Sequence, residues 1–489
     1  MSDASTAPAT PAARLQRGLT LRHIQFMALG SAIGTGLFYG SSSAIQAAGP
    51  LVLVAYIVAG AAVFLVMRAL GEMAVRRPVP GSFSEYAGRY LGPFAGFVTG
   101  WTYVFEMVVV AIADVTAFSI YLGLWFPNAP RWIWVCVVIL IIGGINLRHV
   151  KVFGEAEFWL SLIKVAAIVA MIVGGVALLL FGTSIEGAAT PGVHNLWVHD
   201  GFAPHGALGL LAALSVVVFS FGGVETIGIT AGEAEDPERA VPKAVNTVPV
   251  RILLFYVLAL GIIMMLVPWD SITGDASPFV QIFSTLGLPG AAHVLNAVVI
   301  TAAISAINAD TYGAGRMLFS LAKQGQAPAA LGRTTRSGVP WPAVLIMLGA
   351  LAIGVVLNAV VPEDAFAVVA SLATFATVWV WLMILLAHLA MRRQMRRDAV
   401  PADRFPVPLG AAGQWFAVAF IVLVIALLAV FADTRVALVV GVVWLALLGA
   451  VWLGGAKAKA AAVRLVRAEA AAASAAAGGT AEAAAAPRD

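Results

Sequence analysis

The stretch Met27-Ala-Leu-Gly-Ser-Ala-Ile-Gly-Thr-Gly-Leu-Phe38 decides how the chain is read. It lies in an apolar run, Ile24 to Ala47, long enough to cross a bilayer. Gly30, Gly34 and Gly36 crowd its middle, with Ser31 and Thr35 between them. Each glycine weakens a helix by roughly 1 kcal/mol relative to alanine. The pattern predicts a helix that unwinds at membrane depth, where freed N–H and C=O groups need a partner such as a bound polar solute. Close packing through small residues is the competing reading of this run alone. A second stretch weighs against it. Phe219-Ser-Phe-Gly-Gly-Val-Glu225 interrupts the run Leu208 to Ile229, again with glycines and here with a carboxylate. Two interrupted helices at corresponding places in two halves point to a transport site.

The composition sets the class. Of 489 residues, 61% are hydrophobic and 11% charged, where soluble domains carry about 25% charged residues. The chain therefore reads as an all-α polytopic membrane protein. The single cysteine, Cys136, excludes an internal disulfide and a cysteine-based metal cluster. The net charge of +4 is spread by topology and does not mark a nucleic-acid surface. Residues Met1 to Thr10 lack the apolar core of a cleavable signal peptide.

Hydropathy predicts twelve transmembrane helices. They are Ile24–Ala47, Leu51–Val75, Phe94–Trp125, Trp132–Asn146, Phe158–Phe181, Leu208–Ile229, Ile252–Val267, Ala291–Leu321, Val344–Val361, Ala365–Ala390, Trp415–Phe431 and Val436–Leu453. A disordered cytoplasmic tail is expected over residues 1–18, a permease domain over 19–454 and an alanine-rich cytoplasmic tail over 455–489. Arg76, Arg77, Arg89, Arg148, Lys151, Arg239, Lys243, Lys323, Arg333, Arg336, Arg392, Arg393, Arg396, Arg397 and Arg404 share one side, and only Arg131 and Arg435 fall on the other. The positive-inside rule then puts both termini in the cytoplasm. His194, His199 and His205 lie in the longest external loop without a carboxylate-rich partner set, and read as solvated residues rather than metal ligands. No metal and no cofactor is expected.

Charges inside the spans single out functional candidates, because an ionisable group near the bilayer centre is costly and faces the bundle interior. Four stand out: Glu106 and Asp114 in the third span, Lys164 in the fifth and Glu225 in the sixth. Lys164 lies about two turns inside its span and reads as a desolvated amine able to trade a proton, against snorkelling to the near face. Glu106 reads as a solute-facing carboxylate, against interhelical glue. Glu225 follows the Gly222-Gly223 break, and could either accept freed backbone N–H groups or carry protons. Asp114 reads as structural. Arg68 and Arg316, near span ends, fit snorkelling or gate ion pairs. No Ser–His or metal-ligand spacing in the spans suggests a membrane enzyme, and no continuous polar stripe suggests a channel.

These residues also carry a likeness. Gly30-Ser-Ala-Ile-Gly-Thr-Gly-Leu-Phe38, Arg68-Ala-Leu-Gly-Glu-Met73, Gly81-Ser-Phe-Ser-Glu-Tyr86, Gly100-Trp101 before Glu106, Phe219-Ser-Phe-Gly-Gly-Val-Glu225, Ala231-Gly-Glu-Ala-Glu-Asp-Pro-Glu-Arg239 with Pro242, and Ser305-Ala-Ile-Asn308 resemble the amino acid–polyamine–organocation transporters. Within these the chain resembles the bacterial amino acid permease family, from about Leu19 to Leu453. The runs Phe105–Thr116, Asn195–Trp197 and Ser371-Leu-Ala-Thr-Phe-Ala-Thr-Val-Trp379 look most like proline-specific permeases, with histidine permeases close behind.

The resemblance implies a leucine-transporter-like fold with discontinuous helices one and six. Spans one to five (about 24–181) and six to ten (about 208–390) would form 5+5 inverted repeats, with peripheral helices at about 415–453. It implies proton-driven uptake of an amino acid across the bacterial inner membrane. Proline is the first expectation; histidine, another neutral or aromatic amino acid, or amino-acid exchange are the alternatives. In sodium-coupled relatives a metal ion bridges spans one, five and eight. The Lys164 position resembles that of proton-coupled members, where an ammonium replaces the ion. The substrate carboxylate is expected at N–H groups of Ser31, Gly34, Thr35 and Gly36, at the positive end of a half-helix. The amino or imino group is expected at carbonyls of Phe219, Ser220 and Gly222. Glu106 and Met107 are expected beside the substrate, Ser371 and Thr374 along the far wall, and Phe221 as an aromatic gate or as ordinary core packing.

Overall fold

The computed structural model describes residues 18–31, 33–181, 190–272, 277–285, 289–360, 365–399, 405–456 and 461. The two expected tails lie almost wholly outside the described residues, as do Arg404 and the side chain of Ser31. The first expected span is broken into α1 (Leu21–Ser31), α2 (Thr35–Phe38) and α3 (Gly40–Ala48). Then follow α4 (Val52–Arg76), α5 (Ser82–Tyr90), α6 (Pro93–Gly123), α7 (Arg131–Asn146) and α8 (Val150–Phe181). The sixth expected span is also broken, into α9 (Gly206–Val217), a 3-10 turn (Val218–Phe221) and α10 (Thr226–Thr230). Next come α11 (Pro237–Asn246), α12 (Val248–Arg251), a π-helical turn (Ile252–Leu258) and α13 (Ala259–Leu266). The chain continues with α14 (Pro278–Thr285), α15 (Pro289–Lys323), α16 (Trp341–Val360), α17 (Ala365–Arg397), α18 (Gly410–Val430) and α19 (Ala432–Val451).

Among the described residues, nine helical stretches are long and apolar enough to cross a membrane. A further apolar helix, Arg131–Asn146, falls short of that length, and α16 is apolar from Trp341 to Gly354. The difference from twelve has a physical source. Glycines cut the first expected span, so its first half, α1, has only 11 residues. Its second half runs on helically into the next span as Gly40–Arg76. No extended strand occurs among the described residues; there is one isolated parallel bridge, Leu19 with Ala234.

Four short helices, α5, α11, α12 and α14, lie outside the hydropathy pattern, and local chemistry starts α11. Asp236 accepts a hydrogen bond from the Arg239 backbone N–H at 3.2 Å, with Pro237 in the first turn of α11. At the start of α6, Gly92 takes φ +115, a value that favours glycine, immediately before Pro93.

Packing sorts the helices into a centre and a rim. The long helix α15 packs against α6, α7, α8 and α16, and α17 packs against α4, α5 and α6. Apolar side chains such as Phe181 on α8, Val430 on α18 and Val443 on α19 remain exposed, as suits helices that meet lipid. At the start of the described residues, Gly18 and Leu19 donate their N–H groups to the Glu233 carbonyl at 3.2 and 3.3 Å, and Glu235 donates to the Leu19 carbonyl at 3.2 Å. The segment before α1 is thereby fastened to the connection that follows α10.

Candidate functional site

The two breaks lie against one another. At the first, Ile33 closes a turn onto the Gly30 carbonyl at 3.0 Å, and Gly34 then takes an extended conformation, φ −118 and ψ −168. At the second, Gly222 is extended at φ −55 and ψ 147, and Gly223 sits at φ +88, which only glycine adopts readily. The Ser220 hydroxyl donates to the Gly36 carbonyl at 2.9 Å. A Cβ on Gly36 would stand 2.7 Å from the Ser220 Cα, so the absent side chain is what lets the two backbones touch.

Gly34, Thr35, Gly36, Lys164, Phe219, Ser220 and Gly222 line one cavity between the breaks. Glu106, Met107, Phe221 and Glu225 are fully buried but stand behind its wall. Glu106 accepts a hydrogen bond from the Thr377 hydroxyl at 2.6 Å, and its other oxygen has no partner. Phe221 packs against Tyr56 and Tyr256, with ring centres 5.9 and 4.8 Å away. Glu225 accepts the Gly223 backbone N–H at 3.2 Å and the Trp381 indole N–H at 3.1 Å, tying the second break to α17. The Ser220 carbonyl, expected to face the substrate amine, accepts the Tyr256 hydroxyl at 2.6 Å. Ser371 and Thr374 are buried on α17 outside the cavity wall.

Lys164 is the hub. Its side chain is 1% exposed, and its ammonium donates to the Gly30 carbonyl and to the Ser305 hydroxyl, each at 2.9 Å. A cation at the C-terminal end of α1 also meets the negative pole of that half-helix. Ser305 donates in turn to Glu157, which also accepts Asn308 at 3.2 Å, and Asn308 accepts Asn146 at 2.7 Å. One polar chain thus links α1, α7, α8 and α15.

Four more buried polar groups complete the site. The Thr35 hydroxyl donates to Asp114, fastening the first break to α6. Asp310 on α15 also lines the cavity, as does Glu157. On the side of the N-terminus, Arg316 and Glu233 form an ion pair at 2.9 Å, 3% and 2% exposed. The guanidinium lies 3.8 Å over the Tyr312 ring, which stacks on Phe153 at 4.0 Å. Asp310 and Glu157 were within reach of the sequence. Asp310 is deep inside the expected span Ala291–Leu321, where the rule that picks out Glu106 applies equally. Glu157 directly precedes the expected start of its span at Phe158. In the loop between α8 and α9, His199 pairs with Asp270 at 3.0 Å, and His205 lies 3.0 Å from the Ala47 carbonyl.

Two interrupted helices enclosing a small polar cavity inside an apolar bundle define a membrane transporter. Residues 23–464 match the family model described as amino acid permease, and the chain belongs to that family. It is 48% identical to the uncharacterized amino acid permease YtnA of Bacillus subtilis (strain 168), over 90% of this chain and 95% of the relative. It is 46% identical to the aromatic amino acid transport protein AroP of Escherichia coli (strain K12), over 89% of this chain and 94% of the relative. AroP of Salmonella typhimurium (strain SL1344) is also 46% identical, over 90% and 95%. The chain is accordingly a multi-pass membrane permease for amino acids, not an enzyme. The names of the two AroP relatives speak of aromatic amino acids, and none of the three speaks of proline.

Proposed function

We propose that the chain imports an amino acid into a bacterial cell by proton symport through alternating access. The observation that carries this reading is the position of Lys164. Its ammonium bridges the Gly30 carbonyl at the first break and Ser305 on α15, so its charge holds a broken helix to an unbroken one. Loss of the proton would remove one donor and the attraction to Glu157, loosening α1 from α8 and α15. Inward release of the proton and reloading from outside would then bias the two arrangements of the bundle. Glu225, bonded to both the second break and α17, is the second candidate for this coupling.

The same reading takes the bundle as twelve spans in a 5+5 inverted repeat, with both termini cytoplasmic in the inner membrane. Support comes from breaks in the first and sixth spans and from the distribution of lysine and arginine. The substrate carboxylate is assigned to N–H groups around Gly34, Thr35 and Gly36, at the N-terminal end of α2. For the cargo, likeness in the runs Phe105–Thr116 and Ser371–Trp379 favours proline, and the relatives' names favour an aromatic amino acid.

The test uses the purified chain in sealed vesicles preloaded with buffer alone. A pH gradient, acid outside, should drive accumulation of a labelled amino acid. Uptake that appears only when the vesicles are preloaded with an amino acid identifies an exchanger and removes the symport reading.

A further inference from the structure

We infer that Asp114 and Asp310 share one proton and accept the proton that Lys164 gives up, so that one transfer inside the cavity frees the first break from two side-chain ties. The inference rests on the symport reading and gives that reading's proton a second holder. Asp114 comes from α6 and Asp310 from α15, and both line the cavity together with Lys164. They are 1% and 5% exposed, and their carboxyl groups lie within hydrogen-bonding reach of each other. Two carboxylates cannot both stay charged face to face in such a place. One proton between them makes each the partner of the other and leaves the pair a single negative charge.

The first break is held from two sides, and the two ties answer a proton in opposite ways. On one side the Lys164 ammonium donates to the Gly30 carbonyl at 2.9 Å, just ahead of the break. That bond is strongest while Lys164 keeps its proton, because a charged donor outdoes a neutral one. On the other side the Thr35 hydroxyl, just past the break, donates to Asp114. That bond is strongest while the pair keeps its negative charge. Lys164 acts electrostatically on Asp114, so donor and acceptor share one field. Of the acids around the pair, Glu157 on α8 is engaged by Ser305 and Asn308. Glu106 on α6 and Glu225 beside the second break act on Asp310, and Tyr121 on α6 faces Asp114. Lys164 is the one basic side chain on the cavity wall among the described residues, so a proton reaching the pair from within that wall comes from it. Transfer turns the ammonium into a neutral amine and the singly protonated pair into two carboxylic acids. The proton count and the net charge of the cavity stay the same, and no charge crosses the apolar interior. Both ties weaken together, and α1 and α2 are freed to move against α6 and α8.

The experiment uses the full chain in sealed vesicles, with labelled phenylalanine and labelled proline as cargo. It measures accumulation under a pH gradient, acid outside, and exchange at equal pH on both sides, stepped from mildly acid to mildly alkaline. Asp114→Asn keeps an oxygen for the Thr35 hydroxyl but cannot take up a proton. It should cut accumulation at least about tenfold, the worth of one charge-assisted hydrogen bond, and its exchange rate should lose most of its dependence on pH. Asp310→Asn leaves one carboxyl in the pair and should shift the midpoint of the exchange profile. A pair that served packing alone would lower the melting temperature without moving that profile. A folded Asp114→Asn chain that accumulates cargo as the unaltered chain does, or whose exchange profile tracks it, overturns the inference and leaves symport through Lys164 standing. Should Asp114→Asn fail to fold, Asp310→Asn decides, and an unmoved midpoint overturns the inference. Exchange of a label by the unaltered chain without its accumulation removes the symport reading, and this inference with it.

Discussion

Lys164 and Gly30, 134 residues apart in sequence, are joined by a 2.9 Å hydrogen bond from the ammonium to the Gly30 carbonyl, one residue before the end of α1. The contact is possible because residue 30 has no side chain. A Cβ there would fall 1.9 Å from the Ser161 hydroxyl and 3.3 Å from the Lys164 nitrogen. Lys164→Ala should abolish accumulation against a gradient, while exchange of labelled for unlabelled cargo across vesicles of equal pH persists. Full pH-driven accumulation by that variant would falsify the coupling role.

Gly36 and Gly34 make a matched pair. A Cβ at Gly36 would meet the Ser220 backbone at 2.7 Å, whereas at Gly34 the nearest atom is the Ala306 Cβ at 3.9 Å. Gly36→Ala should therefore wedge the two breaks apart and cost about 1–3 kcal/mol, seen as a lower melting temperature in detergent. Gly34→Ala should melt close to the unaltered protein. Equal melting of the two variants would count against the backbone contact.

Glu106 bonds Thr377 on α17 and keeps one oxygen bare. Glu106→Gln preserves shape and the Thr377 partner but removes charge. The ranking of amino acids in competition for uptake should change. A profile that matches the unaltered chain assigns Glu106 to packing between α6 and α17.

The Arg316–Glu233 pair is buried on both sides. Removing one partner of such a pair costs about 3–5 kcal/mol, because the other charge is left bare. Arg316→Met should destabilise by that amount in thermal unfolding. Arg316→Met with Glu233→Leu should recover most of the loss. A double variant no better than the single would show that the guanidinium matters through Tyr312 instead.

Much of this architecture was legible in the residues. Both breaks could be located because glycines in an apolar run conflict with the helix that lipid demands. The roles at the breaks were less legible. Glu225 left two readings open in sequence, and in the structure it accepts the Gly223 N–H, a contact that depends on φ +88 at that glycine. Phe221 packs within an aromatic cluster drawn from α4 and the π-helical turn, a grouping between distant segments that no spacing rule reports. Hydropathy alone marks Asp310, and Asp114 reads as structural; in the structure Asp114 accepts the Thr35 hydroxyl and both line the cavity. Their meeting depends on the packing of α6 against α15, which a single sequence does not encode locally.

The fastening of residues 18 and 19 to the Glu233 carbonyl carries a practical consequence. Glu233 also grips Arg316. The first described residues and the bolt beneath the cavity therefore share one residue. A bulky fusion joined directly ahead of Gly18 would act as a lever on that bolt.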